Sequence, residues 1–443
     1  PGIIQYAIAA LHPKHLAAIT PGGTINRIYA DGWYMGGVYY AAFAAHWSQF
    51  DQPGASKLFA VQRVQAGDDQ CKAAAEKIGP NNLVPSLEAQ RYDGDYYQQV
   101  SPYNRAPEVT VPTLMVQSWT DPAVGSSALW VFDRLKAKDK RLFVLSGDHG
   151  AYHYSTAQDE VMRWMDRWVR GEKNGVEKLP RVRVDFQTTL ANAPGFGEIG
   201  QASVGWTQSL RDWPPPDTQW RTWHLTADGR LADEAASGKQ AGARAYFYPT
   251  GTELTADNTQ FAVQAQEWAA LRYRSEPVKQ DTGILGAPQL VFYASSTQAD
   301  TDFRVTLHDI SPEGDVTYLQ HGMLRASRRA VDAARSNAQY VFHPHERDEP
   351  LMPGQVYEFR LSLFPLAHVL RAGHALELLV SAPPQAAGFT PLMLPGFNTL
   401  LHDAAHDSRL LVPYVPGLKA QAPMPACGAL PFQPCRRAAL EKK

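Results

Sequence analysis

The pattern of apolar residues changes near residue 215, and this change limits the folds open to the chain. Between residues 111 and 171, short apolar runs alternate with longer segments of helical periodicity. Such alternation is typical of a parallel α/β sheet. After residue 215, short runs of alternating apolar and polar residues follow one another with turn residues between them, which predicts an all-β unit. We therefore expect an α/β part joined to a β-sandwich or jelly roll.

Two strand–helix pairs define the α/β part. Val111–Ser118 and Arg141–Ser146 are apolar enough to be buried strands. Each is followed by a segment with helical spacing, Ser127–Lys136 after the first strand and Gln158–Gly171 after the second. Strands that alternate with helices in this way are expected to lie parallel in one sheet.

The first 105 residues do not show this alternation of strands and helices. Gly2–Leu11 is rich in alanine and predicts a buried helix, and His15–Thr20 predicts a short buried strand. From about residue 28 to residue 105 aromatic residues cluster and no clear strand is predicted. With a surface helix predicted over Asp68–Lys77, this stretch is expected to be a helical insertion.

The all-β part begins after the run Pro214-Pro-Pro216, which we interpret as a domain boundary. Turn residues separate the predicted strands, which are Arg221–Leu225, Ala245–Tyr248, Leu271–Arg274, Gln289–Ala294, Phe303–Asp309, Val316–Met323, Gln355–Ser362, Ala375–Ser381 and Ser408–Val412.

Charge and hydropathy exclude two classes of partner. The formal net charge is −2, whereas a nucleic-acid-binding domain usually carries a basic face. An apolar run of roughly 18 residues is needed to span a bilayer, and none approaches that length. We therefore expect neither nucleic acid nor a membrane as a partner.

The three cysteines bear on the compartment. Cys427 and Cys435 lie close together in a Pro-rich tail, and Cys71 stands apart, with its pairing left open. We predict a disulfide between Cys427 and Cys435, which favours a secreted or periplasmic location. Two unpaired thiols in a frayed tail are the alternative to the disulfide, and the cytoplasm is the alternative location.

Two polar residues follow the predicted strands of the α/β part. Asp121 follows the first strand and His149 the second, where the carboxyl ends of parallel strands place reactive groups. An acid and then a histidine in this order correspond to two members of an α/β-hydrolase triad. Two alternatives remain open, since Asp121 precedes Pro122 and could simply cap a helix, and His149 could be an ordinary loop residue.

Metal binding is a weaker interpretation of the histidines. His149 and His153 are four apart, but the segment between them lacks the glutamate of a zinc-protease helix. His402 and His406 are better explained as a solvated approach to the next strand. We predict no metal and no cofactor.

The nucleophile of such a triad should precede both residues, in a G-x-S-x-G elbow. Gly125-Ser126-Ser127 lacks the second glycine and follows Asp121. If Gly2 is the last glycine of the elbow, the serine lies just upstream of Pro1. We therefore expect these 443 residues to carry the acid and the base but not the nucleophile, and to be inactive alone.

The residues resemble the cocaine-esterase and X-prolyl dipeptidyl-peptidase (CocE/NonD-like) group of serine hydrolases, whose elbow G-x-S-Y-x-G precedes a small helix like that after Pro1. The resemblance covers nearly the whole chain. Its further motifs are Trp33-Tyr-Met-Gly-Gly37, Ser118-Trp-Thr-Asp121, Gly147-Asp-His149, Asp166–Glu172, Tyr273-Arg-Ser-Glu-Pro277, Asp300-Thr-Asp-Phe303, Asp309-Ile-Ser-Pro-Glu-Gly314, His321-Gly-Met-Leu-Arg325 and Arg371-Ala-Gly-His374.

The resemblance implies an α/β-hydrolase core without its N-terminal part, a helical cap and a C-terminal β-sandwich jelly roll. The core comprises residues 1–28, after the elbow, and 106–215, with the acid and the histidine. The cap is expected over residues 29–105 and the jelly roll over residues 216–443.

The resemblance also implies roles for individual residues. Asp121 becomes the triad acid and His149 the general base, while the groups of the oxyanion hole lie outside this sequence. Trp33 and Trp47 of the cap are expected to contact the acyl part of the substrate, with packing inside the cap as the alternative. Asp148 departs from the aromatic or small residue expected before the histidine.

The function implied is hydrolysis of an ester or amide through an acyl-enzyme, by an esterase, an acylase or a dipeptidyl-peptidase. The partner would be a small-molecule ester or amide or a short peptide, and a homodimer stays open. The contrasting hypothesis is a non-catalytic binding protein that uses its jelly roll to bind a carbohydrate or a protein partner.

Overall fold

A computed structural model of the chain describes residues 2–48, 63–77, 83–191, 199–238, 241–249, 252–254, 263–265, 269–385 and 388–437. None of the helices in these ranges has the length and apolar character needed to span a bilayer. The α-helices there are α1 (Gly2–Ala10), α2 (Ala41–His46), α3 (Asp69–Lys77), α4 (Leu83–Ala89), α5 (Asp95–Gln98), α6 (Pro102–Arg105) and α7 (Ser155–Trp168).

The strands fall into two groups along the chain. The first group is β1 (Tyr34–Met35), β2 (Val38–Tyr40), β3 (Thr113–Ser118), β4 (Lys140–Leu145), β5 (Val182–Phe186), β6 (Thr189–Leu190), β7 (Ala202–Ser203) and β8 (Trp206–Leu210). The second group is β9 (Gln219–Leu225), β10 (Arg230–Ala232), β11 (Gly242–Tyr248), β12 (Thr252–Leu254), β13 (Val263–Ala265), β14 (Ala270–Ser275), β15 (Thr282–Gly286), β16 (Gln289–Ser296), β17 (Asp302–Ile310), β18 (Val316–Arg325), β19 (Tyr357–Ser362), β20 (Leu366–Leu370), β21 (Ala375–Ser381), β22 (Phe389–Thr390), β23 (Gly396–His402), β24 (Arg409–Val415) and β25 (Cys435–Arg436).

A small mixed sheet forms the α/β part. Its order is β3-β4-β5-β8, with β3, β4 and β5 parallel and β8 antiparallel to β5. Helix α7 covers one face, because Val161 and Trp164 lie on the side of the helix that packs with Phe143 and Leu145 of β4. The prediction of an α/β part with parallel strands and an amphipathic helix is therefore confirmed.

The segment predicted as a strand over His15–Thr20 is not one. It forms two isolated parallel bridges with β3, Ile19 with Thr113 and Gly22 with Val116. The Leu114 N–H donates to the Ile19 carbonyl, and the Val116 N–H donates to the Pro21 carbonyl. Pro21 has no N–H to donate in return, so the ladder is interrupted.

The segment after Asp121 also differs from its prediction. An amphipathic α-helix was expected over Ser127–Lys136, and the structure has a 3₁₀ helix over Ser127–Arg134. Its first six residues are all buried, because the Trp130 indole donates to the Gln339 carbonyl while Leu129 packs in the core beneath the sheet. The segment is therefore buried on all sides in its first six residues, whereas an amphipathic helix would bury only one face.

The cap contains a hairpin that the sequence did not predict. β1 and β2 pair antiparallel with Met35 opposite Val38, so Gly36 and Gly37 form the turn. Both glycines have positive φ, 58° and 90°, which is the backbone of a tight two-residue hairpin. β2 also pairs with β22, which belongs to the C-terminal half, so the hairpin forms a three-stranded sheet with it.

The C-terminal half is a β-sandwich, and most of its strands belong to one large sheet with branches. Its main path is β11-β23-β16-β24-β9-β10-β14-β21-β17-β18-β25, and β15, β19 and β20 branch from this path. All nine predicted strands of this part are present, within a few residues. Other strands of this part, including β15, β20 and β23, were not predicted. For β15 the reason is its two glycines, of which Gly283 lies where a side chain would be 2.5 Å from Leu418.

Two of these missed strands, β15 and β20, join the halves of the molecule. Leu285 of β15 and Val369 of β20 pack in the same buried cluster as Val182 and Trp206 of the mixed sheet. The α/β part and the sandwich therefore share one buried cluster, in addition to the sandwich's own interior.

The C-terminal tail is held at the edge of the large sheet. β25 pairs antiparallel with β18, and a disulfide joins Cys427 to Cys435 at its start. Asp315 lies near both sulfur atoms, and within the described ranges this is the one group of three potential metal ligands whose atoms lie within 4.8 Å of one another. Because the two cysteines are joined in the disulfide, neither is a thiolate ligand.

Candidate active site

Asp121 lies just beyond the carboxyl end of β3 and is buried. Its Oδ1 accepts hydrogen bonds from the backbone N–H groups of Ala123, at 2.8 Å, and Val124, at 3.1 Å. Its Oδ2 lies 2.8 Å from Nδ1 of His149. The carboxylate thus does two things at once. One oxygen fixes the turn that follows, and the other orients the imidazole.

His149 follows β4, in the loop that begins at Gly147. Its side chain is 48% exposed, and since Nδ1 faces Asp121, Nε2 points away from that carboxylate. The negative charge of Asp121 is the largest influence on the His149 pKa and raises it, burial opposes this effect, and Asp148 adds to it. The arrangement favours an imidazole that can accept a proton at Nε2 and hold it.

Hydrogen bonds tie the loops that carry the two residues. The hydroxyls of Ser118 and Thr120 each donate to the Gly147 carbonyl at 2.7 Å. The Gly147 N–H donates to Thr120 Oγ1 at 2.8 Å. These hydrogen bonds hold the loop that follows β3 next to the loop that follows β4.

A glycine loop brings the beginning of α1 next to His149. Gly23 has φ of +55°, and a side chain there would lie 3.2 Å from Cε1 of His149. A side chain at Gly2 would lie 2.3 Å from the Gly22 carbonyl oxygen. Gln117 holds this loop, since its amide accepts from the Thr24 N–H at 3.2 Å and donates to the Thr24 hydroxyl at 3.1 Å. The N-terminal end of α1 is therefore separated from the imidazole by one loop.

Asp148, the residue that departs from the expected pattern, is held by a tyrosine that sequence reasoning missed. The Tyr154 hydroxyl donates to Asp148 Oδ1 at 3.0 Å and accepts from the Asp148 N–H at 3.2 Å. Tyr154 is buried at the start of α7, and burial raises its pKa. The pair fixes the backbone immediately before His149. Its only sequence signal is an aromatic residue five positions after the histidine.

The structure places Trp33 and Trp47 in the aromatic cluster of the cap, and both are partly exposed. The ring of Phe43 lies between them, at centroid distances of 4.9 Å from Trp33 and 6.2 Å from Trp47. Phe43 also stacks on Tyr40, which stacks on Phe389 of β22. The two tryptophans therefore belong to one aromatic wall that continues into the sandwich.

The histidines considered as metal ligands face other partners. His402 Nε2 lies 2.8 Å from the Tyr273 hydroxyl, and His406 Nδ1 lies 3.0 Å from Asp403. His402 is buried at the end of β23, so the prediction of a solvated approach is wrong for this residue.

Two family models match the chain. Residues 1–151 match the family of X-Pro dipeptidyl-peptidases (S15 family). Residues 174–411, more than half of the chain, match the X-Pro dipeptidyl-peptidase C-terminal non-catalytic domain. The first match contains Asp121 and His149, and the second contains most of the sandwich.

Individual proteins show the same similarity. The cocaine esterase of Rhodococcus sp. is 23% identical over 437 residues, which are 86% of this chain and 71% of that protein. A Mycobacterium bovis protein, provisionally named a serine esterase, is 26% identical over 276 residues, 58% of this chain. The chain spans 41% of the length of that mycobacterial relative.

A solved structure agrees in fold. A CocE/NonD family hydrolase from Staphylococcus aureus superposes with a TM-score of 0.72 at 17% identity, covering 94% of this chain and 70% of that one. The family matches, the curated relatives and this fold agree with one another. The chain belongs to the CocE/NonD-like family of serine hydrolases, which includes the X-prolyl dipeptidyl-peptidases.

Proposed function

We propose that Asp121 and His149 are the acid and the base of a serine hydrolase that cleaves an ester or amide bond through an acyl-enzyme. The observation that carries this proposal is the 2.8 Å contact between Asp121 Oδ2 and His149 Nδ1, at the ends of adjacent parallel strands. The carboxylate selects the tautomer with Nε2 free to accept a proton, and it stabilises the imidazolium that forms.

The nucleophile is proposed to be a serine in the segment that leads into α1. The approach of Gly2 to Gly22, and of Gly23 to His149, supports this placement, because it brings that segment towards the imidazole. Nε2 of His149 then takes the hydroxyl proton as the serine attacks the carbonyl carbon. The proton passes to the leaving group, and water releases the acyl group by the same steps in reverse.

We propose a substrate with a compact acyl group, and an ester or acyl-amide in preference to an X-Pro dipeptide. The names of the cocaine esterase and the mycobacterial relative agree with an ester. Trp33 and Trp47 offer partly exposed rings on either side of Phe43 for the acyl group. Trp47→Ala should raise KM several-fold with a smaller effect on kcat. An unchanged KM would show that Trp47 does not contact the acyl group.

A serine-reactive phosphonate probe tests the central proposal. The protein is produced with the native residues that precede Pro1. We expect the probe to label it, and His149→Ala to slow labelling by about 10³-fold or more because the base is lost. His153→Ala is the control, since it removes an exposed histidine four residues away. Labelling that survives His149→Ala contradicts the assigned base. Absence of labelling in a folded protein favours the non-catalytic hypothesis.

A further inference from the structure

The loop that carries Asp121 rests on a strand of the sandwich. Gln320 of β18 is buried, and its Nε2 donates to the Trp119 carbonyl at 2.9 Å. The same nitrogen lies 3.3 Å from Ser126 Oγ. Trp119 and Ser126 are two residues before and five residues after Asp121. A single side chain of the sandwich therefore holds both ends of the acid loop, residues 119–126.

The orientation of the Gln320 amide is fixed by its other contacts. Its Oε1 accepts from the Tyr318 hydroxyl at 2.9 Å and from the His321 N–H at 3.0 Å. Both neighbours of Oε1 donate, and the carbonyls near Nε2 accept, so only one amide orientation satisfies all of them.

An irregularity in the strand directs Gln320 towards the acid loop. Leu307 of β17 pairs with Gln320 and His308 pairs with Tyr318, which leaves Leu319 without a partner in β17. Such a bulge bends the strand and changes the direction of the next side chain. A regular ladder would alternate Tyr318, Leu319 and Gln320 evenly between the two faces of the sheet.

The turn that follows β19 completes the support. The Ser126 hydroxyl donates to the Pro365 carbonyl, and Gly125, with φ of +62°, lies where a side chain would meet the Phe364 ring at 2.9 Å. The Phe364 N–H in turn donates to the His321 carbonyl at 3.0 Å, which connects this turn to β18.

We propose that Gln320 is a positioning residue for Asp121, so that the sandwich takes part in catalysis by holding the acid against His149. Gln320 touches neither substrate nor reacting atoms and acts through the backbone of the acid loop. The inference rests on the proposed function for its catalytic consequence. The positioning itself is a property of the chain as described and can be measured without turnover.

Gln320→Met tests this, because methionine keeps the length of the side chain and removes its hydrogen bonds. Asn398→Leu is the matched control. Asn398 is an equally buried amide of the sandwich, and it donates to Tyr246 and Thr301 rather than to the acid loop. Both variants should lower Tm.

The deciding measurement is the titration of the His149 imidazole by NMR in the protein as produced for the phosphonate test, assigned with His149→Ala. We expect the pKa of His149 to fall towards 6.5 in Gln320→Met, as the Asp121 carboxylate moves away, and to stay unchanged in Asn398→Leu. In the active protein, Gln320→Met should lower kcat about 10- to 100-fold and change KM little.

An unchanged His149 titration in folded Gln320→Met overturns the proposal, even if Tm falls. If Gln320→Met does not fold, Gln320→Asn replaces it, because the shorter side chain withdraws its N–H donor from the Trp119 carbonyl. A titration of His149 identical to that of the unsubstituted chain then overturns the proposal equally. The two proposals fail separately. If the His149 titration shifts in Gln320→Met but the phosphonate labels nothing, the hydrolase function is rejected and the positioning role is kept. If the phosphonate labels the protein but the titration does not shift, the positioning role is rejected and the hydrolase function is kept.

Discussion

At the scale of single residues, the site depends on the two oxygens of Asp121 having different partners. Oδ1 accepts hydrogen bonds from two backbone N–H groups, so the carboxylate is oriented even without a contact to His149. Oδ2 then meets Nδ1 of His149. The alternative that Asp121 caps a helix is wrong, because the next helix begins only at Ser127 and Oδ1 of Asp121 binds the turn before it.

This pairing predicts the pH dependence of activity. Only the neutral imidazole can take a proton, so kcat/KM should fall as pH drops through the pKa of His149, which Asp121 holds above 6.5. Asp121→Asn should move this inflection to lower pH and reduce kcat by about 10⁴-fold, because the carboxylate no longer stabilises the imidazolium. Steady-state kinetics from pH 5 to 9 provide the test. An inflection at the same pH in both proteins would contradict the assignment.

The same pair predicts a pH-dependent stability. A histidine whose pKa is raised by folding stabilises the native state fully below its unfolded pKa, and this contribution is lost as pH rises through the folded value. The difference in free energy of unfolding between the unsubstituted chain and the Asp121→Asn variant should therefore become smaller as pH rises above 6.5. Urea denaturation at several pH values measures it, and a difference that widens with pH would be inconsistent with the pairing.

At the scale of elements, the hairpin of the cap shows how a turn is fitted to another part of the fold. The Arg325 N–H donates to the Gly36 carbonyl at 2.8 Å, and a side chain at Gly36 would lie 2.0 Å from the Met323 carbonyl oxygen. Gly36 is thus required by its positive φ and also by the close approach of β18.

Gly36→Ala should consequently lower the free energy of unfolding by more than the strain of a positive φ alone accounts for. The matched control is Gly67→Ala, where φ is +86° and no atom of the described residues lies within 4 Å of the new methyl group. We expect a loss of about 1 kcal/mol for the control and about 3 kcal/mol or more for Gly36→Ala, because backbone must move. Chemical denaturation of both variants measures the difference. Equal losses would show that the hairpin is not pressed against β18.

Elements whose pattern is carried by their own residues could be predicted from the sequence, and elements set by contacts could not. Strand β3 and helix α7 follow directly from apolar spacing. The two-glycine turn at Gly36 was a hairpin signal, but the strands beside it are too short to show a period of two. β15 was missed because its glycines, which indicate turns in most contexts, here allow a close approach of another chain segment.

The candidate site shows the same division. Asp121 and His149 could be selected because the ends of parallel strands have known positions in a sheet. Gln320 is about 200 residues away in the chain, and nothing in its local sequence indicates that it reaches the Trp119 carbonyl. Only the assembled fold brings them together.

At the scale of the whole molecule, the sandwich is part of the core rather than an appended unit. Strands β15 and β20 contribute Leu285 and Val369 to the cluster beneath the mixed sheet. Gln320 of the sandwich also donates a hydrogen bond to the acid loop. We therefore expect the α/β part and the sandwich to unfold together.

Calorimetry should show a single transition for the described fold. Val369→Ala removes two buried carbon atoms from the shared cluster and should lower the free energy of unfolding by about 2 kcal/mol. Leu378→Ala, in the interior of the sandwich alone, is the comparison. Both variants should shift one common transition. Two separate transitions, with Val369→Ala moving them apart, would show that the halves are independent.

The three-stranded sheet of β1, β2 and β22 has a consequence for the exchange of parts between relatives. The cap hairpin supplies two of its strands, and the third, Phe389–Thr390, lies about 350 residues later in the chain. Grafting a foreign cap at residues 29–105 would thus replace two strands and leave the third with a mismatched edge. A working chimaera needs the loop that carries Phe389 to travel with the cap, so the smallest transferable unit is discontinuous in sequence.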